Sequence, residues 1–166
     1  MELCFEPLRS HHNRAGFDCG EASLNDYLHR YARQNEAGDI GRTFVAVELP
    51  GSPRIVGCYT LSSYSLESQS LAERGLPRYV IPAALVGRLA RDVRLRRQGV
   101  GEALLRDALQ RCLAVAEQMA VYAVVVDALD NRAKGFYLGF GFNELIDHPM
   151  KLYLPVKTIR QAVMKA

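Results

Sequence analysis

Leu89-Ala90-Arg91-Asp92-Val93-Arg94-Leu95-Arg96-Arg97-Gln98-Gly99-Val100-Gly101-Glu102-Ala103-Leu104-Leu105 passes from an apolar strand through a basic loop to two glycines and a helix. The first turn of a helix carries backbone N–H groups without acceptors and a partial positive charge. Glycine at 99 and 101 lets an anion approach those groups with no Cβ in the way. Arg96 and Arg97 add mobile charge beside them, and the whole pattern suits a diphosphate. A nucleotide P-loop would need G-x-x-x-x-G-K-[ST], whereas Glu102-Ala103 follows Gly101 here. A dinucleotide fingerprint would need a third glycine, which is missing at the right spacing. From G-x-G alone, a helix entry that holds no ligand remains an open alternative.

Outward from this loop, the charge is uneven. Seven arginines between Arg88 and Arg111 face only Asp92, Glu102 and Asp107, a local excess of +4 in a chain whose net charge is +3. Such a cluster fits an anion site, or a solvated basic face. Downstream, Gly99–Met119 reads as a helix with Leu104, Leu105, Ala108, Leu109, Cys112, Leu113 and Ala116 on its buried side. Val121–Asp127 (VYAVVVD) reads as a central strand covered on both faces. A short helix over Asn131–Leu138 follows, capped by Asp130 or Asn131 and broken by Gly139 and Gly141. Two short strands near Phe142–Ile146 and Lys151–Leu154 precede a last amphipathic helix, Pro155–Lys165, with Val156, Ile159 and Val163 on one side.

Upstream, Glu2–Leu8 reads as a strand, and Leu24, Tyr27, Leu28, Tyr31 and Ala32 form a helical stripe that Gly38 stops. Thr43–Leu49 and Arg54–Leu66 form a hairpin about Pro50-Gly51-Ser52-Pro53. Residues 67–82 suggest a short helix and a loop, and Ala84–Val93 a strand. The 166 residues suit one domain with a mixed α plus β architecture. No apolar run is long enough for a membrane span, and the first residues lack the pattern of a secretory signal. Four cysteines without a C-x-x-C pair argue against a zinc site and fit reduced thiols in a cytoplasm; nothing in the pattern calls for a metal.

Arg96-x-x-Gly99-x-Gly101 resembles [QR]-x-x-G-x-[GA], the acetyl-CoA loop of the GNAT superfamily of N-acetyltransferases. Asp130-Asn131-x-Ala133-x-x-Phe136-Tyr137-x-x-Phe140-Gly141-Phe142 resembles that superfamily's later motif, with VYAVVVD between the two. The resemblance covers residues 85–142. It implies a single α/β (α+β) domain over 1–166, with a mixed, mostly antiparallel twisted sheet flanked by helices and splayed between the strands at 84–93 and 121–127. It also implies acetyl-CoA as cosubstrate. Backbone groups of Leu89, Ala90 and Arg91 would pair with the pantetheine arm. Backbone N–H groups of Arg97, Gln98, Gly99, Val100, Gly101, Glu102 and Ala103 would hold the diphosphate, with Arg96 and Arg97 nearby. Asn131 would contact the pantetheine, and Tyr137 would lie near the thioester sulfur. Arg91 departs from the small apolar residue common there; either it binds an anionic acceptor or the strand register shifts by one.

The reaction implied is acyl transfer from a thioester to a neutral amine, with Tyr137 as the acid for the leaving thiolate. Tyr137 also reads as a packing aromatic beside Phe136 and Phe140. Cys58 and Cys112 read as core residues rather than nucleophiles. Glu102 and Asp92 read as charge partners for arginines, and no acidic general base stands out. A narrower resemblance lies in Phe17-Asp18-Cys19-Gly20-x-x-x-Leu24-Asn25-x-Tyr27-Leu28, Tyr31-Ala32, Gly87-Arg88-Leu89-Ala90 and Val125-Val126-Asp127-Ala128. These stretches resemble the GNAT toxins of bacterial toxin–antitoxin pairs. That resemblance implies acetylation of the α-amino group of aminoacyl-tRNA, arrest of translation, and a ribbon–helix–helix antitoxin as partner. Arg30, Arg33, Arg88, Arg91 and Lys134 are the candidate cations for tRNA phosphates. A homodimer is expected, and the last strands and final helix are candidates for its face, for an antitoxin face, or for closure of the core. Two other readings stay open: a small-molecule or peptide-amine acetyltransferase, and a non-catalytic acyl-CoA-binding or partner-binding module.

Overall fold

The computed structural model describes residues 2–165. Its strands are β1 (Cys4–Pro7), β2 (Arg42–Val47), β3 (Gly57–Leu66), β4 (Ile81–Arg91), β5 (Ala123–Asp127), β6 (Asn143–Leu145) and β7 (His148–Pro155). They form one open sheet in the order β1-β2-β3-β4-β5-β7-β6. The pairs β1/β2, β2/β3, β5/β7 and β6/β7 are antiparallel, and β4/β5 is parallel. The sheet is therefore mixed and mostly antiparallel, as expected. The paired register of β4 with β5 runs from Ala83↔Ala123 to Val86↔Val126. The helices are α1 (Ala22–Asp26), α2 (Ala32–Ala37), α3 (Val100–Ala116), α4 (Asn131–Gly139) and α5 (Val156–Lys165), with a π-helical turn, Tyr27–Tyr31, joining α1 to α2.

The chain divides into two compact units, Met1–Ser62 with Gly87–Ala108 and Ser63–Val86 with Leu109–Ala166. In the first, Phe17, Leu28, Ala32, Val45, Val47 and Cys58 build the core. Gly57 is critical there. A Cβ at this position would lie 2.8 Å from Leu104 Cδ1, 3.2 Å from Val100 Cγ1 and 3.3 Å from the Ala90 carbonyl oxygen. Only glycine lets the first turns of α3 settle this closely on the strands. In the second unit, Ala123, Val124, Val125 and Val126 are all fully buried, so β5 is covered on both faces. Ala123 and Val125 share a core with Leu66, Ile81, Leu145 and Tyr153.

Several boundaries differ from those expected. β4 begins at Ile81 rather than Ala84, because Pro82 joins the strand through its carbonyl, which accepts the Tyr122 N–H at 2.9 Å. A proline is tolerated where its missing N–H is not required. The strand ends at Arg91 rather than Val93, because the Asp92 carboxylate accepts the Arg94 N–H and caps a 3₁₀ turn over Val93–Leu95. Residues 67–82 contain one short 3₁₀ turn, Ser68–Ser70. The N-terminal stripe is interrupted by the π-helical turn: Leu28 and Ala32 are buried, while Tyr31 is turned outward. In α5, Val156 and Ile159 are buried within the chain and only Val163 is exposed, so the first two are core residues rather than an outer face.

Gly57→Ala is expected to destabilise the fold by about 1–3 kcal/mol, the usual cost of overpacking a dense core. Urea denaturation checks this; an unchanged midpoint would show that α3 does not rest on Gly57.

Candidate active site

The site is assembled from residue 92 onward in the first unit. Asp92 is fully buried, and both carboxylate oxygens are used. Oδ1 accepts the Arg94 N–H at 3.0 Å and its Nε–H at 2.8 Å. Oδ2 accepts from Arg94 Nη2 at 2.7 Å and from the Asp18 N–H at 3.4 Å. The Asp92 N–H donates to the Val56 carbonyl, and the Val93 N–H to the Asp18 carbonyl. Arg94 Nη2 also reaches the Gly16 carbonyl at 3.1 Å. The segment at 16–18 is thus strapped to the turn that enters the basic loop. Hydrogen bonds from Arg94 hold the Asp92 carboxyl down at about 2. Arg94 Nε and Nη2 are committed to this strap.

Beyond the strap, Arg96 and Arg97 are exposed and have no hydrogen-bond or ion-pair partner among the described residues. Arg97 and Gly99 both take positive φ, +62° and +77°. Nothing lies within 4 Å of a Cβ built on Gly99, so the approach to the helix start is open. The Ala103 N–H donates to the Gly99 carbonyl at 3.1 Å. Ala103 is therefore not an anion donor, and the amides left without a helical acceptor are those of Gly99, Val100, Gly101 and Glu102. Four amides without helical acceptors, next to two exposed guanidinium groups, are the donor set that a diphosphate would need.

The remaining cations are sorted by their partners. Arg106 approaches Glu102 at 3.9 Å, and Arg30 pairs with Asp26 at 3.0 Å. Arg88, at φ +51°, lies 3.8 Å from the centroid of the Tyr27 ring. That stacking helps offset a backbone conformation costly for a non-glycine residue. Leu89 and Arg91 are both half-buried while Ala90 between them is buried, so the two share a face. Arg33 is exposed.

The second unit carries the later motif. Asp130, not Asn131, caps α4, accepting the Ala133 N–H at 2.8 Å. The Asn131 side chain is left exposed in the first turn. Tyr137 is 5% exposed, and its ring packs edge-on against Phe136 at 5.3 Å and against Phe142 at 5.7 Å. Its hydroxyl has no hydrogen-bond partner among the described residues and is not among the sealed polar atoms. Burial, with the Asp127 charge as a smaller cause, pushes the phenol up to about 12. The group keeps its proton throughout the neutral range. Lys134 is paired with Glu144 at 2.8 Å.

Other chemistry is disfavoured by the same geometry. Cys58 and Cys112 are buried, and burial pushes both thiols up to about 12, far from thiolate reactivity. Among the described residues, Glu6, His11 and His12 are close enough to suggest a metal. However, His12 Nδ1 accepts the Arg9 N–H at 2.9 Å, which places the imidazole proton on Nε2, facing Glu6 Oε1 at 2.6 Å. This is a hydrogen-bonded pair, not a ligand set. Among the described residues, no helix is long and apolar enough to cross a membrane.

Two outcomes follow from the helix entry. Asp92→Asn is expected to lose about 2 kcal/mol of stability at neutral pH. The Asp92 contribution is fully present above the ordinary carboxyl value of 3.8 and is lost as pH falls through about 2, so the gap between wild type and variant closes on acidification. Urea titrations at neutral and acid pH check the sign. Gly99→Ala is expected to weaken diphosphate binding at this helix entry through its backbone rather than a clash, costing about 1–2 kcal/mol, with Gly99→Asn milder. Calorimetry of the two variants measures the difference; equal losses would contradict a conformational origin.

A family model described as an acetyltransferase (GNAT) domain matches residues 39–144. A protein of Sinorhizobium fredii named probable toxin TacT is 33% identical over 93% of this chain and 92% of its own length. A tRNA-acetylating toxin of Mycobacterium tuberculosis is 35% identical over 89% of this chain and 88% of its own length. Among solved structures, AtaT complexed with acetyl-methionyl-tRNA superposes with a TM-score of 0.91 at 27% identity, covering 98% of this chain and 99% of that one. A tyrosine-to-phenylalanine AtaT variant, bound to the C-terminus of the antitoxin AtaR and acetyl-CoA, has a TM-score of 0.84 at 26% identity, covering 99% of both chains. Sheet order, the glycine-opened start of α3 and these likenesses converge: the chain belongs to the GNAT acetyltransferases.

Proposed function

We propose that this chain is a single-domain, acetyl-CoA-dependent N-acetyltransferase that acetylates the α-amino group of aminoacyl-tRNA. In this reading it acts as the toxin of a toxin–antitoxin pair. Its donor site is the four amides from Gly99 to Glu102 with Arg96 and Arg97, and this donor set is the observation that carries the reading. The likeness to a tRNA-acetylating toxin and to AtaT with acetyl-methionyl-tRNA supports the acceptor. The likeness to AtaT with AtaR and acetyl-CoA supports the donor and an antitoxin partner, for which we keep the ribbon–helix–helix class. A homodimer is part of the same proposal.

The diphosphate would rest on the amides, and the backbone of Leu89, Ala90 and Arg91 would hold the pantetheine arm, with Asn131 as the further pantetheine contact that the family resemblance assigns. Fixing both substrates in place lowers the barrier without a covalent intermediate. The acceptor nitrogen, once neutral, attacks the thioester carbon; the C–S bond breaks and an amide forms. The sulfur takes the phenolic proton of Tyr137, and the proton released by the nitrogen returns to Tyr137 through solvent. An α-amino group has an ordinary pKa of about 7.7–8.0, so a strong base is not required. Arg33, Arg88 and Arg91 are candidate phosphate contacts, the last two already engaged within the chain. Arg30 and Lys134 would first have to leave Asp26 and Glu144.

Incubation with labelled acetyl-CoA and charged tRNAs, followed by mass spectrometry of the released aminoacyl adenosines, tests the reaction. Tyr137→Phe keeps the ring packing and removes the proton, so turnover is expected to fall roughly 10²–10⁴-fold with stability nearly unchanged. Wild-type rate should rise with pH as the acceptor amine deprotonates, without a falling limb from Tyr137, whose acid form persists until pH approaches about 12. A variant as active as wild type would remove Tyr137 from the chemistry.

A further inference from the structure

The segment from Ala72 to Ile81 is not used by the site described above, yet it presents an unusual surface. Pro77, Arg78, Tyr79 and Val80 are exposed in succession, and Tyr79, at 71%, is the most exposed large apolar side chain among the described residues. This is not a loose tail. Leu71 and Ile81 are buried at its two ends, and Leu76 packs on the core of the second unit between them. The Ala72 N–H donates to Tyr153 Oη at 3.2 Å, and that hydroxyl donates to Glu73 at 2.9 Å. Just before, Ser70 Oγ donates to Asp147 at 2.9 Å, and the Ser70 carbonyl accepts the Ile146 N–H. Pro77 limits the backbone further.

The charges are as telling as the aromatic ring. Arg74 and Arg78 are exposed and have no ion-pair or hydrogen-bond partner among the described residues. The one acid of the segment, Glu73, is held by Tyr153. A solvent-facing aromatic next to Arg78 and five positions from Arg74 in sequence, in a segment anchored at both ends, has the chemistry of a stacking platform for single-stranded nucleic acid. An apolar protein partner would not call for two uncompensated cations in the same short loop.

We infer that the 74–79 loop is a second contact for the acceptor RNA, with Tyr79 stacking on an unpaired base and Arg74 and Arg78 holding the adjoining phosphates. This assignment rests on the reading of aminoacyl-tRNA as acceptor. It adds residues that neither the acetyl-CoA loop nor the Tyr137 helix includes.

The test compares wild type, Tyr79→Ala, Tyr79→Phe and the double variant Arg74→Gln/Arg78→Gln, each as full chain, in acetyl transfer to charged tRNA over a range of salt. Tyr79→Ala is expected to raise the KM for aminoacyl-tRNA roughly 5- to 100-fold, the range of one lost base–aromatic stack. The KM for acetyl-CoA and kcat should stay at wild-type values, and Tyr79→Phe should retain most of the affinity. The double arginine variant should make the slope of log affinity against log salt shallower by about 1.4, or about 0.7 per single-strand phosphate contact. An unchanged tRNA KM in Tyr79→Ala, while wild type acetylates charged tRNA, overturns this assignment alone. If that variant instead loses only its neutralisation by the partner protein, the loop is a protein-docking surface and the assignment is likewise wrong. If wild type acetylates no charged tRNA, the functional reading fails and takes the assignment with it.

Discussion

A carboxylate without access to water is tolerable only when its lone pairs are filled, and Asp92 meets that condition where the chain turns from strand to basic loop. Two backbone N–H groups and a two-point contact from Arg94 satisfy it. The strain and charge that follow depend on that anchoring. Arg97 and Gly99 can hold left-handed backbone because the turn just before them is fixed from both sides. The start of α3 can lie close to the strands because Gly57 leaves room beneath it. A loop that is pinned at its root and bare at its tip binds an anion without first having to order itself.

The elements that could be read from residues alone are those whose signal is local. The stripe of α3, the unbroken apolar run of β5 and a cap at Asp130 or Asn131, of which the structure uses Asp130, depend on neighbours a few positions apart. So does the pairing of glycines at 99 and 101 with a helix start. What stayed hidden depends on distant partners. Asp92 reads as a companion for nearby arginines, and one of them, Arg94, does hold it; its bond to the Asp18 amide, 74 positions away, has no local trace. Gly57 looks like any strand glycine until α3 lies over it. Pro82 reads as a break because its missing N–H is visible in the sequence, whereas its carbonyl bond to Tyr122 is not.

Tyr137 shows how one side chain can serve two ends of the causal chain. Its ring is a core residue by every measure of burial, which is the plain reading of an aromatic between Phe136 and Phe140. Its hydroxyl has no partner among the described residues. Packing fixes where the oxygen sits, and desolvation keeps the proton on it. The charge census undergoes a similar division. Of the arginines clustered around the loop, Arg94 serves the architecture and Arg88 stacks on Tyr27, while Arg96 and Arg97 remain uncommitted.

The π-helical turn at Tyr27–Tyr31 has an evolutionary corollary. A wide turn accommodates one surplus residue inside a helix without unravelling it. Related chains that differ by a single deletion should carry the gap here, inside a helix rather than in a loop, and should turn a residue at the position of Tyr31 back toward the interior. Length variation in this lineage would then change which side chain lies beside the Arg88–Tyr27 stack, a means of altering that surface without touching the glycine-opened start of α3.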